Sequence, residues 1–222
     1  MLKTILATSS FALSLAAGPI LGQANHSKSL PEDIYVESMS RLPALTRADL
    51  DVEGQAIYDR IAGNDPPPHP APRAVTLYSP RIAGPFEEIN DFLRFNGDLS
   101  PRHTEVAILV AAWEIEQQYV WSSHEPAALQ YGTPQDVIDT IKFDRQPVGL
   151  SREETLIINL GRQLMREHEL DSVLFAQAVE AFGRKGTVEL ITVMGDYVMG
   201  GMLLTAVDQR LPADRPALLP SR

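Results

Sequence analysis

Seven side chains that can bind a ligand or carry a proton crowd into residues 99–132: Arg102, His103, Glu105, Tyr119, Trp121, His124 and Tyr131. Glu105 and His124 matter most chemically. A carboxylate beside an imidazole fixes the tautomer of the ring and keeps a proton carrier in place near neutral pH. Thiol chemistry is closed to this chain. It contains no cysteine, which rules out thiolate nucleophiles, disulfide exchange and thiolate metal sites. His26, His103 and His168 fall in no spacing that suits a metal, so no metal site is expected. Spacing alone also admits a second reading, in which Glu105 pairs with Arg102 at i,i+3 and His124 is a satisfied histidine between two helices.

The elements that must position these groups read almost entirely as helix. Ser100 followed by Pro101 is an N-cap with proline at the first helical position, and Val106, Leu109, Val110 and Trp113 then mark an apolar face. A second helix carries His124 and ends before Gly132. A short connection makes these two helices antiparallel, with Glu105 and His124 pointing into one crevice. Pro126 removes an amide within that second helix and leaves the Ser122 carbonyl without its helical donor. Ser151 and Glu154 form a capping box ahead of Leu156, Ile157, Leu160 and Leu164, and Asp171 opens a helix that Gly183 stops after Phe182. Upstream, Thr46 starts a helix bearing Leu50, Ile57 and Ile61 and ending at Gly63, and the loop 64–73 holds five prolines. Residues 188–207 are apolar nearly all round. Glu189 and Asp196, with Gly195, Gly200 and Gly201, mark them as a helix buried in the core or against a partner subunit rather than a membrane span. No alternating strand pattern of useful length occurs, so the class is all-α.

The ends of the chain speak to location. Lys3, an apolar stretch to Leu21 and small residues up to Ala24 form a secretory signal over 1–24. A polar leader without periodicity, expected to be flexible, spans 25–42; a helical domain spans 43–212; and an extended tail spans 213–222. The formal net charge is −10, or −11 once Lys3 leaves with the signal. Such a surface repels phosphate backbones and anionic headgroups, so neither nucleic acid nor, after cleavage, membrane is an expected partner. Export places the mature protein in the periplasm or outside the cell.

The run Leu99-Ser100-Pro101-Arg102-His103-Thr104-Glu105 through Leu109, the run Gln118-Tyr119-Val120-Trp121-Ser122-Ser123-His124-Glu125-Pro126 with Gly132, and the later pieces Ala181-Phe182-Gly183, Val188-Glu189-Leu190 and Gly195-Asp196-Tyr197 resemble carboxymuconolactone decarboxylase-like proteins. That superfamily includes the alkyl hydroperoxide reductase D (AhpD)-like proteins. The resemblance spans 77–212 and implies a compact helical bundle that assembles as a homo-oligomer, trimer or hexamer, with the active crevice near a subunit interface. The peroxidase branch carries its two redox cysteines where this chain has Gln117 and Val120. The decarboxylase-like branch uses proton transfer without a cofactor. By that resemblance His124 is the acid or base and Glu105 its orienting partner, Arg102 a carboxylate clamp, and Tyr197 a donor to an oxyanion. Trp121, Tyr119 and Tyr131 then wall the pocket of a small carboxylate or lactone-type substrate. The relatives commonly carry glutamate at Val120 and a bulkier aromatic residue at Asp196. The expected function is an exported, cofactor-independent lyase of decarboxylase type; the alternative is a non-catalytic ligand-binding or scaffold oligomer on the same fold.

Overall fold

Ten consecutive residues, from Thr104 to Trp113, are buried in helix α4 (Pro101–Glu114), which makes it the axis of the molecule. A helix that is apolar on every side is stable only when others surround it. In this computed structural model α5 (Gln118–Gln130), α7 (Arg152–Arg166) and α8 (Ser172–Ala206) pack around α4, and α6 (Gln135–Lys142) closes the side. The chain separates into units Met1–Leu30 and Pro31–Arg222. The structure describes residues 30–62 and 71–221. The signal segment 1–24 and most of the proline-rich loop 64–73 therefore lie outside the described residues, but Arg73, the last residue of that loop, begins the short helix α2 (Arg73–Thr76).

The local signals act as their chemistry requires. Ser100 Oγ accepts from the His103 amide to cap α4, and Ser151 with Glu154 forms the reciprocal box at the start of α7. Thr46 and Asp49 make the same exchange, but only a single 3₁₀ turn follows, and α1 (Val52–Ala62) begins after it. α1 packs on α3 (Pro80–Asp91). α3 then widens into a π-helical turn over Phe92–Asn96.

The helix expected to stop at Gly183 and the apolar helix beyond it join end to end as α8. Gly183 breaks the helix with φ 70° and ψ 171°, a region open essentially to glycine alone. α8 has the length and apolar composition to cross a membrane. Gly186, Leu190, Val193, Met194, Tyr197, Gly201 and Leu204 nevertheless lie buried in the bundle. Glu189 is buried too, and its Oε2 accepts the Asp98 amide at 2.6 Å, tethering the loop that leads into α4. At Gly201 the absence of a side chain is required: a Cβ there would stand 2.3 Å from the Ile115 Cδ1 atom.

Both ends of the described chain are bound to the bundle. Within the segment expected to be a flexible leader, residues 38–41 are pinned to the end of α8: the Arg41 amide donates to Val207 O at 2.8 Å and the Arg210 amide to Met39 O at 2.8 Å. The tail opens on a turn, the Arg215 amide donating to Pro212 O at 2.9 Å, and is strapped to α5, with the Leu218 amide donating to Ser122 Oγ at 3.0 Å and both Leu218 and Leu219 packed on the core. Among the described residues the only β pairing is an isolated bridge between Tyr35 and Ser40.

Candidate functional site

α4 and α5 are joined by the three residues 115–117, with Glu116 at a positive φ of 55°. The helices fold back on one another, and Glu105 meets His124 directly. His124 Nδ1 lies 2.7 Å from Glu105 Oε2. Glu105 is buried and His124 half-buried, with side-chain exposures of 3% and 12%. A carboxylate can only accept, so Nδ1 carries the hydrogen and Nε2 is left as the working nitrogen. The Tyr197 ring stands edge-on to the imidazole, 4.9 Å between centroids at 87°.

The other oxygen of Glu105 has a partner that sequence reasoning missed. Arg94 Nη2 lies 3.6 Å from Glu105 Oε1, carried inward by the π-helical turn after α3. Such turns insert one extra residue per turn and re-aim side chains, which is why they recur at functional sites. Asn90, one turn earlier, donates to Asp196 Oδ2 at 2.8 Å.

His124, Tyr197, Arg94 and Asn90 line a cavity of about 330 Å³. Tyr119, Val120, Phe86, Arg73, Glu87, Asp196 and Arg215 complete much of its wall. Burial, above all, pushes the Tyr197 phenol well above its ordinary range, against the opposing pull of Arg94 and Asn90. The phenol therefore stays protonated and able to donate. Burial also raises the Asp196 carboxyl, with Glu87 adding to the effect and the bond from Asn90 opposing it. Because its folded value is raised, Asp196 favours the fold at low pH and loses that contribution as pH climbs from the ordinary carboxylate range through the raised value. Asp196→Asn is accordingly expected to match the wild type in melting temperature at acid pH and to exceed it increasingly toward neutrality. Parallel melting curves of both proteins across pH 3–8 would sink this account of Asp196 if the gap stayed constant.

The structure separates the remaining candidates. Tyr119 reaches the cavity, but Arg102, Trp121 and Tyr131 do not. Arg102 Nε donates to Glu154 Oε1 at 3.0 Å, so its carboxylate is the buried capping residue of α7 and not Glu105 or a ligand. Trp121 is fully buried in the core, donating to Glu125 and covered by Lys142, 5.8 Å from the ring centroid. Tyr131 ends α5 with 43% of its surface exposed, outside the cavity. Of the two positions that the resemblance matches to thiols of the peroxidase branch, Gln117 is a brace. Its Nε2 donates to Gly201 O at 3.2 Å and Thr205 Oγ1 at 2.9 Å, and its Oε1 accepts the Tyr119 amide at 3.0 Å. Val120 presents an aliphatic wall to the cavity.

An all-helical bundle with the antiparallel α4–α5 pair at its centre and no cysteine defines a cysteine-free form of the AhpD-like fold. An uncharacterized peroxidase-related protein from Ralstonia eutropha JMP134, described as an alkylhydroperoxidase AhpD core, superposes with a TM-score of 0.63 at 13% identity, covering 79% of this chain and 94% of that one. Another uncharacterized peroxidase-related protein, from Silicibacter sp. TM1040, gives 0.64 at 14% identity over 82% of this chain and 95% of its own. Neither a protein-family model nor a curated protein matches the sequence.

Proposed function

We propose that the protein is an exported lyase of decarboxylase type, in which Glu105 and His124 move a proton to or from a small carboxylate or lactone-type substrate. The observation that supports this reading is the 2.7 Å contact between His124 Nδ1 and Glu105 Oε2 at the wall of a cavity of substrate size. When a carboxylate β to a carbonyl, or its unsaturated equivalent, loses carbon dioxide, the electron pair of the broken C–C bond passes into the carbonyl and leaves an enolate. The Tyr197 hydroxyl suits the enolate oxygen as a hydrogen-bond donor. A protonated His124 then delivers its Nε2 hydrogen to the carbon that lost the carboxyl group. Glu105 stabilises the imidazolium, and His124 is restored by the next proton from solvent. Reduction of peroxide by a cysteine pair, the chemistry of the thiol branch, is not available to a chain without cysteine.

The same reading makes the mature protein a homo-oligomer, trimer or hexamer, acting on a diffusible substrate in the periplasm or outside the cell. It has no use for nucleic acid or membrane as a partner. The purified protein should be incubated in D₂O with β-keto acids and with unsaturated lactone acids, and followed by proton NMR. The expected result is loss of the carboxyl group with one deuterium on the carbon that carried it. A bound acid returned unchanged after long incubation would instead favour a non-catalytic binding protein.

A further inference from the structure

Three arginines line the cavity, and two of them face a carboxylate of the protein. Arg73 pairs with Glu87, its Nη2 lying 3.2 Å from Glu87 Oε2, and Arg94 faces Glu105 at 3.6 Å. Arg215 is different. Its Nη1 donates to Ser123 Oγ at 3.0 Å and its guanidinium carbon lies 5.3 Å from the Tyr119 ring centroid. No carboxylate among the described residues lies within ion-pair distance of it. In a chain of net charge −10, an arginine held against a cavity wall by a hydroxyl and an aromatic face, yet left without a counter-ion, has donors to spare for an anion.

Its position follows from the tail. Pro212, Pro216 and Pro220 restrict that segment, and the Leu218 amide bonded to Ser122 together with Leu218 and Leu219 on the core fix it along α5. The guanidinium therefore lies over Tyr119 and Ser123, one turn apart on α5, and Ser123 directly precedes His124. Arg215 and His124 line the same cavity.

We infer that Arg215, delivered by the C-terminal strap, is the residue by which this cavity selects a ligand bearing a carboxylate over its neutral counterpart. The inference rests on the reading of the cavity as a substrate site and adds the residue that sets its specificity. A guanidinium fork binds a carboxylate through two parallel hydrogen bonds, and Tyr119 and Ser123 hold that fork in place before the ligand arrives.

Benzoate and benzamide, equal in shape and different in charge, test this by calorimetric titration of the full mature chain. The wild type is expected to prefer benzoate by about tenfold or more, the size of one charge-assisted contact. Arg215→Gln should lose that preference by weakening benzoate alone. Arg215→Lys, which keeps the charge without the fork, should fall between the two. Arg184→Gln makes the same change in net charge on a groove elsewhere on the surface and is expected to bind like the wild type. A wild type indifferent to charge, or an Arg215→Gln protein that still prefers benzoate, would overturn the inference. Failure of the catalytic proposal looks different: turnover is absent while the Arg215-dependent preference persists. Circular dichroism of each variant confirms that the helices are intact.

Discussion

Asparagine in place of His124 is expected to reduce kcat by about 10²–10⁴, the usual share of a positioned general acid or base, with the fold retained. The amide nitrogen of asparagine can still donate to Glu105 Oε2, which lies 2.7 Å from Nδ1 in the native site, so the buried carboxylate keeps a partner. What disappears is the proton carried on Nε2. Glu105→Gln is the complementary test. It keeps a polar group against the ring but removes the negative charge that stabilises the imidazolium, and a smaller loss of about tenfold is expected for such a supporting group. Truncation to Glu105→Ala is less informative. It leaves Arg94 facing an emptied buried position and combines a stability loss with the chemical one. Single-turnover kinetics on the substrate found by deuterium labelling separates these effects. A His124→Asn protein with wild-type turnover would remove the histidine from the mechanism altogether.

How much of this arrangement was legible in the sequence depended on whether the signal was local. The caps at Ser100 and Ser151, the break at Gly183 and the burial of Asp196 within an apolar helix all follow from residues a few positions apart, and the structure shows each of them. Glu105 and His124 were legible by type, and the short connection between their helices brought them together. Arg102 was paired with Glu105 by the same local reasoning, but its carboxylate comes from Glu154, beyond two intervening helices. Arg94 and Asn90 left a fainter trace. They share a helical face with Phe86 and Leu93, both buried, and a polar residue on such a face has either a buried partner or a cavity to reach. Arg215 left none. Its tail has no periodicity, and only the path of the folded chain brings it over α5.

The placement of Trp121 illustrates the limit most clearly and has the largest expected consequence for stability. Successive residues on a helix are turned by about 100°, so the rotation of α5 decides which of its aromatic groups faces the cavity. Polar and apolar residues mix on every side of α5, and composition does not reveal that rotation. In the fold Tyr119, Val120 and His124 face the cavity, and Trp121 fills the core. Trp121→Ala is therefore expected to destabilise the protein by about 3–5 kcal/mol through the void it leaves in a packed interior. The loss extends to polar neighbours. Glu125 gives up the indole donor, and the Lys142–Glu125 pair, 2.8 Å apart, loses the ring that shields it. Trp121→Phe fills most of the space without supplying the N–H, and the expected cost is about 1–3 kcal/mol for the acceptor left short. Tyr131→Ala, at an exposed helix end, should change stability by no more than about 0.5 kcal/mol. Urea unfolding midpoints of the three variants give the ordering directly. If Trp121→Phe kept full stability but weakened benzoate binding, the tryptophan would belong to the pocket after all, and the rotation of α5 described here would be wrong.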